Sequence, residues 1–266
     1  MKKRLDDLYQ RLNRREYVYP DPLAAIYRFE DIADREIAAL VASSLAYGRV
    51  QQIIRSLETV FEILSSPAAY LLGSTREAIT HDFARFKHRW TTGPEMASFL
   101  WGLGEIIREY GSLESCFMEG LKEDEADLTG ALTAFVGIVH YNMDYERGRL
   151  LPRPSRGSAC KRLHLFLRWV VREDDVDPGG WRKVPKAKLI VPLDVHMHRI
   201  SRRLGMTKRN QADLRTAREI TAAFRKFSPD DPVRYDFSLT RLGIRDDMSP
   251  DDFFIDDFVK SHQCAH

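Results

Sequence analysis

Apolar residues recur at helical spacing along most of the chain. Asp31 stands at the N-cap position of a segment in which Ile37, Leu40, Val41 and Leu45 share one face, so we predict a helix that ends at Tyr47 and Gly48. No strand-like alternation of more than a few residues competes with this pattern. The predicted fold class is therefore all-α. Further helices are predicted at 49–64, 94–110, 113–121, 128–141, 160–171, 195–204 and 211–227.

Two irregular stretches interrupt these helices. Residues 148–158 carry two prolines and Gly157, and residues 174–192 carry a Pro-Gly-Gly turn at 178–180. Both flank the predicted helix that contains Lys161. Because loops that bracket a helix often carry function, we expect them to form a substrate-facing rim.

Composition narrows the class of protein. With 266 residues, of which 44% are hydrophobic, the chain is expected to form a single unit over 1–266, with one large domain or two closely packed lobes. The N-terminus lacks the apolar run of a secretory signal, and no stretch approaches the roughly 20 apolar residues that span a bilayer. The cysteines are too few and scattered for a disulfide framework, so a soluble, cytoplasmic protein is expected; they are Cys116, Cys160 and Cys264.

The charge is unevenly distributed. The formal net charge is only +2, but the segment 145–172 has a single acid, Glu146. A solvated helix face would explain such a run, whereas its one-sidedness favours a surface that faces a polyanion. Its basic residues are Arg147, Arg149, Arg153, Arg156, Lys161, Arg162, Arg168 and Arg172.

The most informative string runs from Val191 to Gly205. Pro192 predicts an extended entry, Asp194 stands at the N-cap of the following helix, and Gly205 closes that helix. One interpretation is that Asp194 only caps the helix, a role worth about 1 kcal/mol.

This string resembles the catalytic segment of a known superfamily. Its Pro-x-Asp-x-His-x-x-Arg pattern is similar to that of the helix-hairpin-helix DNA glycosylases related to endonuclease III and 8-oxoguanine glycosylase. The resemblance implies a two-lobed helical fold in which Asp194 lies at the mouth of the pocket that holds the damaged nucleotide.

Lys161 matches the lysine that attacks the sugar in bifunctional members. It follows the Gly/Ser-rich turn at 155–159, as the resemblance requires. The usual Leu-Pro-Gly-x-Gly hairpin is absent, and the gap between Lys161 and Asp194 is wider than in most members. These departures resemble the archaeal 8-oxoguanine glycosylase branch, so a divergent hairpin element is expected within a catalytic segment of about 145–205.

Three other strings, at 27–31, 45–49 and 235–239, resemble an uncharacterised bacterial family related to this superfamily. The iron–sulfur loop of endonuclease III would need four C-terminal cysteines, and only Cys264 is present, so no cofactor is expected. Asp194, His196 and His198 suggest a metal site, but residues two apart on a helix face different ways. Since the sequence names no further ligand, no bound metal is expected.

The resemblance implies a mechanism. The Lys161 amine would attack the sugar and form a Schiff base, and the carboxylate of Asp194 would stabilise the positive charge that develops there. The damaged nucleotide must leave the duplex, and the turn at 47–51 lies where the superfamily places the wedge that fills the gap. The residues expected to bind DNA are Tyr47, Arg49, Gln51, Arg153, Arg156, Ser158, Arg162, His198 and Arg202.

Three functional hypotheses follow. The first is a DNA glycosylase with AP lyase activity that excises a damaged purine such as 8-oxoguanine. The second is a non-catalytic nucleic-acid-binding protein that retains this fold, which the missing hairpin glycines favour. The third is a metal-dependent phosphohydrolase built around Asp194 and His198. The expected partner is double-stranded DNA with a damaged base, and the expected form is a monomer without membrane association, although RNA stays open as the substrate.

Overall fold

The computed structural model describes residues 1–143, 150–245, 247–251 and 253–254. These residues are mostly helical, which confirms the all-α class, and no helix among them is long and apolar enough to cross a membrane. Short 3-10 segments lie at Arg15–Tyr17, Pro22–Arg28, Pro154–Arg156 and Lys186–Lys188. The α-helices are α1 Lys2–Leu12, α2 Ile32–Ser44, α3 Val50–Ile63, α4 Pro67–Gly73, α5 Arg76–Asp82, α6 Gly93–Tyr110, α7 Leu113–Met118, α8 Thr129–Asn142, α9 Lys161–Val171, α10 Val195–Arg203, α11 Leu214–Arg225 and α12 Asp236–Ile244.

Helix α2 lies at the centre of the fold. Every residue from Glu36 to Ser44 is buried, as expected of a helix that is apolar nearly all round. It packs against α9 and against the 3-10 segment Pro22–Arg28, while α6 packs against α4, α5, α7 and α8. Helix α12 packs against α1 and α10. One cluster of buried apolar residues runs through all these elements.

The boundary of α2 differs from the prediction. The helix was expected to reach Tyr47, but it ends at Ser44. Residues 45–48 form a tight turn in which the amide of Tyr47 donates to the carbonyl of Leu45, and Gly48 adopts a φ of +100°. This left-handed conformation, which glycine adopts readily, redirects the chain into α3.

Four helices and a small hairpin were not predicted. Helices α4 and α5 have only seven residues each, too short to be stable alone, and both pack on α6. Helices α1 and α12 pack against each other. The antiparallel hairpin pairs β1 Lys87–His88 with β2 Thr91–Thr92.

A buried carboxylate connects α2 to two other parts of the fold. Glu36 accepts hydrogen bonds from the amides of Leu113 and Glu114 at 2.7 and 3.1 Å, and from the indole of Trp181 at 2.8 Å. Burial raises the pKa of Glu36 to about 7, although these hydrogen bonds act in the opposite direction. The folded state therefore binds a proton at Glu36 more tightly than the unfolded chain does.

Because the pKa of Glu36 is raised on folding, protonation of this side chain stabilises the folded state. This stabilisation is complete below pH 4.5 and is lost as the pH rises through 7. We expect the free energy of unfolding of Glu36→Gln, relative to the unaltered protein, to rise by on the order of 3 kcal/mol between pH 4.5 and pH 8. Urea unfolding at several pH values measures this difference. Glu58→Gln, at an exposed position on α3, should show no such trend; a trend equal in both variants would contradict the assignment.

Candidate functional site

Lys161 and Asp194 lie together, as the resemblance implied. The Nζ atom of Lys161 is 3.3 Å from Oδ2 of Asp194. Lys161 is the first residue of α9, and Asp194 is the N-cap of α10, where its Oδ1 accepts a hydrogen bond from the amide of Met197 at 2.8 Å. The two carboxylate oxygens of Asp194 thus have different partners. Oδ1 caps α10, and Oδ2 contacts the amine of Lys161.

The loop before Lys161 is held by backbone contacts. Gly157 has a φ of +75°, and its carbonyl accepts a hydrogen bond from the amide of Leu214 at 3.2 Å. Ser158 forms an isolated bridge with Asp213, the N-cap of α11. Cys160, immediately before α9, also adopts a positive φ, of 43°. These constraints fix where α9 begins and hence where the Lys161 side chain starts.

The Lys161–Asp194 contact faces a cleft of about 920 Å³. Side-chain exposures of 37% for Lys161 and 15% for Asp194 leave both groups accessible from this cleft. One wall is a face of α9 with Leu165, Arg168 and Trp169, at helical spacing from Lys161. The other walls are Tyr19–Pro22, Ala46–Gly48, the start of α3, residues 192–196 and the α12 face with Asp236, Thr240, Arg241 and Ile244.

A buried ion-pair network lies behind the cleft. Arg168 contacts Asp236 through Nη1 and Asp177 through Nε, the latter at 3.1 Å. Arg172 also contacts Asp177, together with Asp231 at 2.9 Å and Asp174 at 2.7 Å. The interpretation of 145–172 as one polyanion-facing surface is therefore wrong for Arg168 and Arg172, which are buried against carboxylates. Charge along a sequence does not show which side chains the fold pairs internally.

Burial raises the pKa of Asp236 to about 6, although Arg168 acts in the opposite direction; the negative charge of Asp194 contributes to the rise. Asp236 lines the cleft, is only 2% exposed and uses Oδ2 for Arg168, while its Oδ1 has no hydrogen-bond partner. A second carboxyl group thus borders the site, in an environment more buried than that of Asp194.

The rim of the cleft carries an aromatic stack that sequence reasoning missed. Tyr47 and Trp90 are parallel within 4°, with ring centroids 5.9 Å apart. The guanidinium of Arg89 lies 4.6 Å from the Trp90 centroid, and that of Arg162 lies 5.0 Å from the Tyr47 centroid. Trp90 is 61% exposed at the tip of the β1–β2 hairpin, so one end of the stack faces outward.

Tyr47 is not free to act as the predicted wedge. Its hydroxyl donates to the carbonyl of His88 at 2.9 Å and contacts the hydroxyl of Thr91 at 2.8 Å, which fixes the ring against the hairpin. Glycine is favoured at position 48 because its φ of +100° is strained for L side chains, and a Cβ atom there would also displace the Arg89 side chain. Trp90 is the exposed member of this stack.

The other residues expected to bind DNA fall into two groups. Arg162 and His198 are engaged within the protein, Arg162 with the carbonyl of Ser44 and His198 with that of Arg209 at 3.0 Å. The remaining six are exposed, and Gln51 lines the cleft; the six are Arg49, Gln51, Arg153, Arg156, Ser158 and Arg202. Glu146, Arg147, Arg149 and Cys264 lie outside the described residues.

The residues that were missed left weak signals in the sequence. Arg89 and Trp90 belong to a basic and aromatic string at 87–90. Asp236 belongs to the string at 235–239, which was noted for family likeness alone. Within the part of the chain that the structure describes, no group of three or more His, Cys, Asp or Glu side chains is placed to hold a metal ion.

The model of the family described as Protein of unknown function (DUF2400) matches residues 21–245. The chain belongs to this family. The matched range contains Lys161, Asp194, the rim stack and every helix from α2 to α12. No curated protein and no solved structure matches the chain.

The two roles of Asp194 can be separated by substitution. Asparagine is as good an N-cap as aspartate, so Asp194→Asn should change the free energy of unfolding by only a few tenths of a kcal/mol. Asp194→Ala removes the acceptor for the Met197 amide and should destabilise the protein by about 1 kcal/mol. Denaturant unfolding at pH 7.5 measures both. Equal losses of stability in the two variants would show that Asp194 stabilises the fold through its charge rather than through the helix cap.

Proposed function

We propose that the chain is a DNA glycosylase with AP lyase activity that excises a damaged purine, such as 8-oxoguanine, through a Schiff base on Lys161. The observation that carries this proposal is the 3.3 Å contact between Nζ of Lys161 and Oδ2 of Asp194 at the edge of a large cleft. An accessible amine beside a carboxylate supplies both groups that this reaction needs.

The reaction begins with a nucleotide extruded from the duplex into the cleft. Proton transfer from the Lys161 ammonium to Asp194 leaves a neutral amine. The amine then attacks C1′ of the sugar, so that the C1′–Nζ bond forms as the glycosidic bond breaks. The base departs with the bonding electrons and takes up the proton that Asp194 had received, which restores the carboxylate. The restored carboxylate of Asp194 stabilises the positive charge on the sugar adduct.

Opening of the sugar ring converts the adduct into a Schiff base between Lys161 and C1′. Loss of a proton from C2′ then expels the 3′ phosphate by β-elimination, which cuts the strand. The positions of the two groups at helix starts support this sequence, because neither α9 nor α10 has to move to bring amine and carboxylate together.

Exposed basic and polar residues in the segments that carry Lys161 and Asp194 support binding of DNA. Exposed Arg153, Arg156 and Ser158 lie in the loop that leads to Lys161, and Arg202 lies exposed on α10. Arginine side chains near a substrate cleft contact phosphates, which give most of the affinity for DNA but no sequence specificity. Trp90 adds an exposed ring on which a base can stack.

Borohydride trapping tests the proposed chemistry. Reduction of the Schiff base should link the unaltered protein covalently to duplex DNA that contains 8-oxoguanine or an abasic site. Lys161→Gln should form no adduct, and Asp194→Asn should lower the rate of base release about 100-fold or more while leaving the fold intact. Lys122→Gln, at an exposed position outside the cleft, should behave like the unaltered protein.

An adduct that persists in Lys161→Gln would assign the amine to another residue. No adduct on either lesion, with DNA binding retained, would instead favour the non-catalytic nucleic-acid-binding protein. The exposed Arg153, Arg156 and Arg202 suit that second function equally well, and trapping distinguishes the two.

Trp90→Ala should weaken binding to an abasic duplex about tenfold, because base–aromatic stacking contributes roughly 1–3 kcal/mol. Fluorescence polarisation at fixed salt concentration measures the change. Leu72→Ala removes another exposed apolar side chain, 49% exposed on α4, and should leave binding unchanged. Unaltered affinity in Trp90→Ala would exclude the hairpin from the DNA interface.

A further inference from the structure

The exposed face of α10 carries basic residues beside the cleft. Arg199, Arg202 and Arg203 are exposed, and together with Val195 and His198 they line a surface depression. Val195 also lines the cleft, so the depression and the cleft share a border. Among the described residues, Arg199 and Arg202 have no carboxylate partner. A basic face that the fold leaves largely unpaired attracts a polyanion.

A carboxylate from the C-terminal part of the chain already contacts this face. Nη1 of Arg203 lies 2.7 Å from Oδ1 of Asp251, and Cζ of Arg203 lies 3.9 Å from the ring centroid of Phe254. Both partners belong to residues 247–254, the acidic segment, which contains three aspartates and no lysine or arginine. An arginine pairs with carboxylates and phosphates through the same N–H donors. Asp251 and a phosphate group would therefore compete for Arg203.

The acidic segment is anchored more firmly at Phe253 than at Arg203. Phe253 is only 6% exposed, and the guanidinium of Arg4 on α1 lies 4.7 Å from its ring centroid. The ion pair at Arg203 is open to solvent, with side-chain exposures of 42% for Arg203 and 66% for Asp251. Exposed ion pairs are weak and are screened by salt. A polyanion can therefore displace Asp251 while Phe253 keeps the segment near α10.

We infer that the acidic segment competes with the phosphate backbone of duplex DNA for the basic face of α10. Arg199 and Arg202 are open to phosphates at all times, whereas Arg203 becomes available only when Asp251 and Phe254 leave it. The apparent affinity for DNA is then reduced in proportion to the fraction of molecules in which Arg203 is covered. The inference rests on the DNA binding that the proposed function includes, but not on any reaction at Lys161.

A substitution that changes no charge tests the competition. Phe254→Ala removes the ring that covers the Arg203 guanidinium, so the segment should leave Arg203 more readily. We expect binding to a lesion-free duplex at about 50 mM salt, measured by fluorescence polarisation, to tighten about threefold. Tyr141→Ala removes a ring that is 88% exposed on α8 and should leave the affinity unchanged. Equal affinities of Phe254→Ala and the unaltered protein would overturn the inference.

A charge variant gives an independent test if Phe254→Ala does not fold. Asp251→Asn removes the ion pair with Arg203 and should tighten binding to the same duplex about threefold. Asp230→Asn removes the same charge at an exposed position that forms no ion pair among the described residues, and it should tighten binding less. Equal gains in the two variants would assign the effect to net charge and contradict the inference.

Arg203→Gln tests whether Arg203 is the shared partner. The substitution removes the group for which the segment and DNA compete, so Phe254→Ala should have no further effect on affinity in the Arg203→Gln background. In protein that retains Arg203, Phe254→Ala should steepen the slope of log affinity against log salt concentration by up to about one, because one more phosphate is contacted. A full threefold gain in the Arg203→Gln background would place the effect elsewhere and overturn the inference.

Binding and trapping together separate this inference from the proposed reaction. A gain in affinity in Phe254→Ala without a borohydride adduct on any lesion would retain the competition and reject the lyase. An adduct on Lys161 with equal affinities of Phe254→Ala and the unaltered protein would retain the lyase and reject the competition.

Discussion

The buried contact of Arg168 with Asp177 and Asp236 is the interaction on which the cleft depends. It connects α9 to α12 and to the loop after α9, and Arg172 extends it by sharing Asp177. Asp177 is fully buried. Loss of one member of such a network leaves a charge in the interior without compensation, which typically costs about 3–5 kcal/mol. The relative positions of two cleft walls are therefore set by charge as well as by packing.

This network also determines where the reactive groups lie. Lys161 is two helical turns before Arg168 on α9, so the contacts of Arg168 fix the direction in which the start of that helix points. Asp194 begins α10, which packs against α12, the helix that carries Asp236. Helices α9, α10 and α12 thus position the Lys161 amine, the Asp194 carboxylate and the buried Asp236. Functional groups on rigid elements are held in a more precise geometry than groups on loops.

Charged residues serve two separate purposes in this chain. Arg168 in α9 and Arg172, the residue that follows this helix, pair with internal carboxylates. Those in the preceding loop, at Arg153 and Arg156, stay exposed and accessible to a polyanion. A nearly neutral net charge is therefore compatible with a local basic surface.

The sequence alone determined the helical class and most long helices, and a resemblance singled out Lys161 and Asp194, whose contact the tertiary structure shows. Periodic apolar positions and caps such as Asp31 and Asp194 are local, and local physics decides where a long helix begins. The short helices α4 and α5 and the hairpin with Trp90 were missed because they depend on packing rather than on propensity. Only the tertiary structure decided that Arg168 is buried, that Tyr47 is fixed by His88 and that Trp169, Asp236 and Arg241 border one cleft. These contacts join residues that are far apart in the chain. The spacing of residues along a sequence does not show which distant side chains will be in contact.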